Sequence, residues 1–554
     1  MCHKSCAVEI KLRFIQVKSL KSLSMTRLGL PFSLNFFQMN FLKAFSSFVL
    51  ASLVLLVVAC KKEGATPDGA LAYVPATSTS VTAIDLKKMM QKADFESVKQ
   101  MDFYKKMVSE AERDNPQFAK VLLDPAASGV DLDSKIYTST SFNEQNPEWT
   151  TTYLFVPLKD AAAFEQFMKS SKQELIEKEG VKSMDSGGTT FMGWNKSLAV
   201  FAISTEPIEQ SENRVANAFK IDTENTLTKD ARLQKALAAN HDVTSWMSTN
   251  SLAKNGGAGM FLSLINVKPD ALKDNFISGY ADFENGKMVG HSDFDINKKL
   301  GDEFIGRFFK KEAEADFSKI LPKEKMTFAT VLSLDLVGID KFLSERPDSK
   351  KYADFALNDL GFKRADLIEA LGGDVMVAGF GSKDLQNAKL MISMSLKNEA
   401  KARELLQMAV EQKKLREIEK DLYTPISIGN EMFSIQVNKG FGKILLKNGM
   451  LTFCSDDELM NKIKAGETGG EYASAIKAFD NQTFAGWFDF DALSDYLGNK
   501  GVDGAYKEMN FKVNGKGADF IIETKDPNKN SLKALFEMIN EAYLSSENGQ
   551  QEAL

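Results

Sequence analysis

Apolar and polar positions along this chain change period at regular intervals. Val81 and Ala83 alternate with polar neighbours as a half-buried strand requires, and after Asp85 the run LKKMMQKA takes helical spacing. An aspartate at such a junction is suited to cap the helix it precedes. VLSLDLVGID (Val331–Asp340) makes the same switch at Asp335, and Asp160 and Asn398 likewise stand before Ala- and Glu-rich helical runs. The longer helical stretches are predicted over Phe95–Leu123 and Glu399–Lys420. Asn285-Gly286 and Asn514-Gly515 sit between alternating runs, a strong hairpin signal in which both turn residues adopt positive φ. Amphipathic helices follow, with Leu300, Phe304, Ile305 and Phe308 on one stripe and Leu532, Leu535, Phe536 and Ile539 on another. Hairpins and meanders, each followed by a helix, predict an α+β fold: antiparallel β-sheets with helices packed on one face.

The pattern occurs twice in the same order. VTAIDLKKMM (Val81–Met90) matches VLSLDLVGID, with Pro75 and Pro322 ahead of them, and YLFVPLKDAAAFEQFM (Tyr153–Met168) matches MISMSLKNEAKARELL (Met391–Leu406). TTFMGWNKSLAVFAIST (Thr189–Thr205) matches EMFSIQVNKG (Glu431–Gly440) followed by GMLTFCSDD (Gly449–Asp457). VTSWMSTNSL (Val243–Leu252) matches GWFDFDALSD (Gly486–Asp495), and the hairpin-plus-helix at Ala281–Phe309 matches that at Phe511–Ile539. Five pairs in shared order predict two homologous lobes, residues 71–315 and 316–546, with a polar tail at 547–554.

Ahead of the lobes, the stretch LVLLVVACKKE (Leu53–Glu63) turns abruptly from apolar to polar at one cysteine. The apolar run Phe48–Ala59 is shorter than the roughly 20 residues a membrane-spanning helix needs. It fits a secretory signal over residues 39–59, for which MNFLK (Met39–Lys43) supplies a start and a basic segment. Val57, Val58, Ala59 and Cys60 resemble a bacterial lipobox, which implies lipidation of Cys60 and cleavage before it; an ordinary signal with a chance cysteine is the bland alternative. Several acyl chains together anchor stably, at about 0.8 kcal/mol per buried methylene. Residues 1–38, including Cys2, His3 and Cys6, then read as an upstream extension from a misplaced start, and 60–70 as the lipidated cysteine with a flexible tether.

Cleavage leaves 495 of 554 residues, room for about three domains of ~150 residues, and removes seven basic and one acidic residue. The formal charge moves from −6 to −12, with 62 basic against 74 acidic residues. So acidic a body lacks the clustered cationic surface that displaces phosphate counterions, which argues against a nucleic-acid partner. Cys454 is the one cysteine left beyond Cys60, so packing and not disulfides must hold the body together; in LTFCS it reads as a small buried thiol.

Candidate chemistry is sparse. His241 and His291 lie 50 positions apart with no ligand pattern around them, and neither HExxH, CxxC, GxSxG nor a P-loop occurs. Asp293, Asp295 and Asn297 open like a calcium loop, but Lys298 replaces the required glycine and Phe304 occupies the twelfth place; Asp295 or Asn297 as a helix cap is the better reading. Asp489 and Asp491 form an acidic pair that reads as a strand end with a cap at Asp491. Gly372–Asp374, Gly379–Gly381 and Lys439–Lys443 read as turns and bulges, and Trp194, Trp246 and Trp487 as core. No catalytic residue, cofactor site or metal site is expected.

The lipobox, the tether and AYVPATSTSVTAIDLKKMMQKA (Ala72–Ala93) resemble an uncharacterised family of Bacteroidota envelope lipoproteins, the domain of unknown function 4836, over nearly all of the mature chain. Its signature is a structural pattern, so the resemblance implies fold and a place in the cell envelope, on the outer membrane, facing the periplasm or the surface. The expected role is a non-catalytic lipoprotein that binds or scaffolds an envelope protein at the membrane. Alternatives are a carrier of an apolar ligand such as a lipid, and a carboxylate-based hydrolase.

Overall fold

Where the sequence changes period, the backbone changes conformation. The computed structural model describes residues 69–143, 146, 149–170, 175–185, 190–205, 218–221, 225–250, 268–359, 361–381, 389–426, 442–491 and 504–551. The Asp85 carboxylate accepts the Lys88 N–H at 3.0 Å and starts helix α1 (Leu86–Ala93). Longer helical structure follows in α2 (Asp102–Asp114). Asp160 caps α3 (Ala161–Lys169), and Asp230 caps α4 (Ala231–Ala238). Asp335 caps α5 (Leu336–Ser344), and Asn398 caps α6 (Glu399–Glu411). The chain closes with α7 (Ser531–Gln551). No described helix is long and apolar enough to cross a membrane.

The first ten strands are β1 (Ser80–Asp85), β2 (Lys135–Phe142), β3 (Thr150–Pro157), β4 (Leu175–Lys178), β5 (Val181–Asp185), β6 (Thr190–Trp194), β7 (Leu198–Ser204), β8 (Val243–Ser248), β9 (Phe276–Glu284) and β10 (Lys287–Asp295). Their pairing order is β4-β5-β6-β7-β3-β2-β1-β8-β9-β10, antiparallel throughout. The second ten are β11 (Met326–Ser333), β12 (Leu371–Phe380), β13 (Lys389–Leu396), β14 (Leu415–Glu419), β15 (Leu422–Pro425), β16 (Lys443–Lys447), β17 (Met450–Cys454), β18 (Phe484–Asp489), β19 (Tyr506–Asn514) and β20 (Gly517–Thr524). They repeat that order with ten added to every number. β10 pairs with β20, so one twenty-stranded sheet runs through both sets. Pro75 and Pro322 occupy matching places, each in an isolated bridge, to Thr226 and Thr468 respectively.

This is an α+β architecture, and helices cover both faces of the sheet. The reason is visible in β16, where Leu445 and Leu446 are adjacent, both buried, and necessarily point to opposite faces. Leu445 joins a core with Val331, Met376, Trp487 and the helical residues Leu459 and Ile463. Leu446 joins Ala402, Leu405 and Leu406 of α6 on the other face. The first ten strands hold an equivalent core of Val81, Ala83, Tyr137 and Trp246 under Leu71, Leu227 and Leu233. The outer strands β4 and β14 carry exposed charges at Glu177, Lys178, Arg416 and Glu417, which discourage pairing with another chain.

Several expected details shift. Leu415–Glu419, expected as helix, is the edge strand β14, held by its pairing with β15 from Leu415↔Pro425 to Glu419↔Leu422. In the Asn285-Gly286 turn only Gly286 has positive φ (79°), and its packing on the Pro527 backbone leaves no room for a Cβ. At the second hairpin the turn is Gly515-Lys516: Asn514 ends β19 and its side chain accepts the N–H groups of Lys516 and Gly517. The helix expected after Asn297 stops at Phe308 and is interrupted by a π-helical segment, Gly301–Ile305, bounded by two poor helix formers, Gly301 and Gly306. Glu431–Gly440 lies outside the described residues.

The terminal helices are exchanged. The run Lys298–Phe308, which closes the first set of strands, packs on α5 of the second: Phe308 meets Phe342 edge-on at 4.8 Å and Arg307 pairs with Glu345 at 3.0 Å. Helix α7, which closes the second set, packs on α1 and α2 of the first, with Lys533 on Asp94 at 2.6 Å and Asn540 accepting the Phe103 N–H.

Candidate functional site

Cross-strand register brings the two histidines of the body to the central strands. His291 on β10 stands opposite Tyr280 of β9 on one side and Asp519 of β20 on the other. Its Nδ1 is 2.6 Å from Asp519 Oδ1 and its Nε2 3.2 Å from Asp293 Oδ1. Asp519 does most to hold the imidazole above the usual histidine range; burial opposes it, and Asp293 adds a smaller upward push. His241, just before β8, places Nδ1 2.6 Å from Asp282 Oδ2 and lies flat on Tyr280 at 3.5 Å between ring centroids. Burial pushes the Asp282 carboxyl up, but the Asp242 N–H and His241 outweigh it and the net shift is downward. Both imidazoles are thus gripped by carboxylates, an arrangement that fixes the rings without activating a hydroxyl or thiol nucleophile.

The acidic candidates are committed separately. Asp293 pairs with His291, Asp295 with Arg232 at 2.6 Å, and Asn297 accepts the Leu300 N–H as a helix cap. Asp489 ends β18 and accepts the Asp491 N–H at 2.9 Å, so the capping carboxylate is Asp489, while Asp491 pairs with Lys525. Strands β20 and β19 lie between Asp293 and Asp489. No cluster of three or more potential metal ligands occurs among the described residues.

Gly372–Asp374 is a bulge in β12: Gly373 has φ 95° and its carbonyl accepts the Leu334 N–H. Asp374 is buried, and its carboxylate accepts the N–H groups of Glu314 and Ala315 with Lys310 at 3.3 Å. Gly379 lies under the Phe328 ring. Cys454 is fully buried, which pushes its thiol far above the usual range and leaves it inert. Trp194, Trp246 and Trp487 are all core residues.

Two cavities stand out among the described residues. One of about 490 Å³, beside the start of α5, is lined by charged groups including Lys310, Lys319, Lys397 and Asp374. The other, of about 330 Å³, lies where β1 begins and β8 ends, and carries Phe142, Trp246 and Phe276 with short polar side chains. Neither is lined mainly by Phe and Met. A half-exposed aromatic row, Phe328–Phe488–Phe511, lies on the sheet instead, with near-parallel rings 6.3 and 6.1 Å apart.

The sequence singled out His291 and Trp246, but not Asp519, 228 positions from its histidine, nor Ser78, Asp230 and Asn250 of the smaller cavity; only strand register brings them together. Val57, Val58, Ala59 and Cys60 lie outside the described residues.

A family model described as "Domain of unknown function (DUF4836)" matches residues 72–467. The match stops before β18, β19 and β20, which nevertheless complete the same sheet. No curated protein matches the chain. Three solved structures, of crystal forms I, III and IV of TP0453, are each 11% identical to it, with TM-scores of 0.24, 0.25 and 0.25. They cover 43%, 46% and 42% of this chain and 81%, 92% and 81% of their own, a likeness too slight to carry an argument.

Proposed function

We propose that this chain, which belongs to the DUF4836 family, is a non-catalytic lipoprotein of the cell envelope, held on the outer membrane by lipid on Cys60 and binding or scaffolding a partner there. The observation that carries this reading is the apolar run Phe48–Ala59, ending at Val57-Val58-Ala59-Cys60 and turning polar at once. The body supports it in two ways: its candidate acids and histidines are each engaged by a partner in an ion pair or hydrogen bond, and its repeated strand order favours two homologous lobes, 71–315 and 316–546. Labelled palmitate should enter the wild-type protein and not Cys60→Ser, and globomycin should leave an uncleaved precursor. A Cys60→Ser protein that still partitions fully with outer membranes would remove the anchor from the account.

A second reading, a carrier of an apolar ligand such as a lipid, is favoured by the aromatic row Phe328–Phe488–Phe511. It expects co-purifying lipid that is lost in Phe488→Asp; recovery of a reproducible crosslinked envelope protein with no lipid supports the scaffold.

A further inference from the structure

The smaller cavity differs from the larger one in the chemistry of its wall. Phe142, Trp246 and Phe276 supply flat apolar surface, and the Phe276 ring carries the Arg232 guanidinium at 4.0 Å. Between the rings stand short polar side chains, and no lysine or arginine lines the space among the described residues. Asp230 uses Oδ1 to cap α4, accepting the Arg232 and Leu233 N–H groups; its Oδ2 bonds to no described residue. Asn250 accepts the Asp274 N–H with its side-chain oxygen, which leaves the NH2 group unused among the described residues. Two lining residues, Ser78 and Trp246, are each over nine-tenths buried and carry a hydroxyl and an indole N–H without a partner among the described residues. A buried donor left unpaired costs roughly 1–3 kcal/mol, a cost that a ligand able to accept from these two atoms would lift.

The geometry points to a binding site for a neutral polyhydroxylated ligand, a single sugar ring or a disaccharide. A sugar ring offers a C–H face to aromatic side chains and hydroxyls that both donate and accept, matching a carboxylate oxygen, an amide NH2 and hydroxyls. A phosphate or carboxylate ligand would find no counter-charge in this wall, and an acyl chain would strand its polar groups. The volume, about 330 Å³, is at the lower end of ligand pockets at roughly 300–1,000 Å³. The assignment stands whether or not Cys60 is lipidated.

The test is calorimetric titration of the full-length protein in detergent with four probes: the methyl α-glycosides of glucose, mannose and galactose, and N-acetylglucosamine, with putrescine as a cationic control. At least one sugar should bind saturably with a Kd of about 1 mM or tighter. Asp230→Asn keeps a helix-capping oxygen and Ser78→Ala removes a hydroxyl with no described partner, so both should leave thermal unfolding unchanged while weakening binding by roughly three- to tenfold. Failure of all four sugars, binding indifferent to both substitutions, or binding of putrescine alone would each overturn the assignment.

Discussion

At the scale of single residues, His291 makes the clearest claim. Its folded-state pKa lies above the unfolded value because Asp519 and Asp293 favour the charged ring. The stabilisation is therefore complete below the unfolded value of about 6.5 and is lost as pH rises through the higher folded value. Denaturation measured from pH 5 to 9 should show stability declining through that window, and His291→Gln should remove the decline; an unchanged profile would mean the pairs do not hold charge. Gly373 makes a steric claim. A Cβ there would lie 2.2 Å from the Leu334 carbonyl at φ 95°, whereas Gly449, with φ 70°, has open space around it. Gly373→Ala should cost about 1–3 kcal/mol and more than Gly449→Ala, read from denaturant midpoints. The Gly372–Asp374 bulge was legible because the glycines are contiguous in the chain. The Asp374 grip on residues 314–315 was not, since its partners lie about sixty positions away.

At the scale of elements, local signals survive and pairings do not show. Asp85, Asp160, Asp335 and Asn398 all cap the helices they were expected to begin, because a cap depends on three or four neighbouring residues. Asp335→Ala should cost about 1 kcal/mol while Asp335→Asn costs little, measured by thermal or denaturant unfolding. Leu415–Glu419 was hidden because its apolar residues, Leu415 and Ile418, keep helical spacing directly after a strong helix, and only pairing with β15 makes the segment a strand. The second hairpin turn moved by one residue because the Asn514 side chain serves the turn better from the strand end than from within it. The repeat remained visible because each strand and its following helix keep their order, whatever they pair with.

At the scale of the whole molecule, two ten-strand sets are joined through β10 and β20 and through exchanged helices. Ile521, opposite Val289, lies in the middle of that seam, and β20 is paired on both sides. A proline there removes a ladder hydrogen bond and costs about 3 kcal/mol or more. Ile521→Pro should split a single calorimetric unfolding transition into two, the sets melting independently; one intact transition would locate the coupling in the helices alone. None of this joining could be read from sequence, since β10 and β20 are over 220 residues apart and nothing local marks them as partners.

The placement of α7 constrains how the protein is made. Helices α1 and α2 emerge early in synthesis, yet the surface that covers them is the final helix of the chain, more than 400 residues later. Until that helix is made the leading half must wait with apolar flanks uncovered, so a holding factor, or speed, becomes a requirement for this polypeptide.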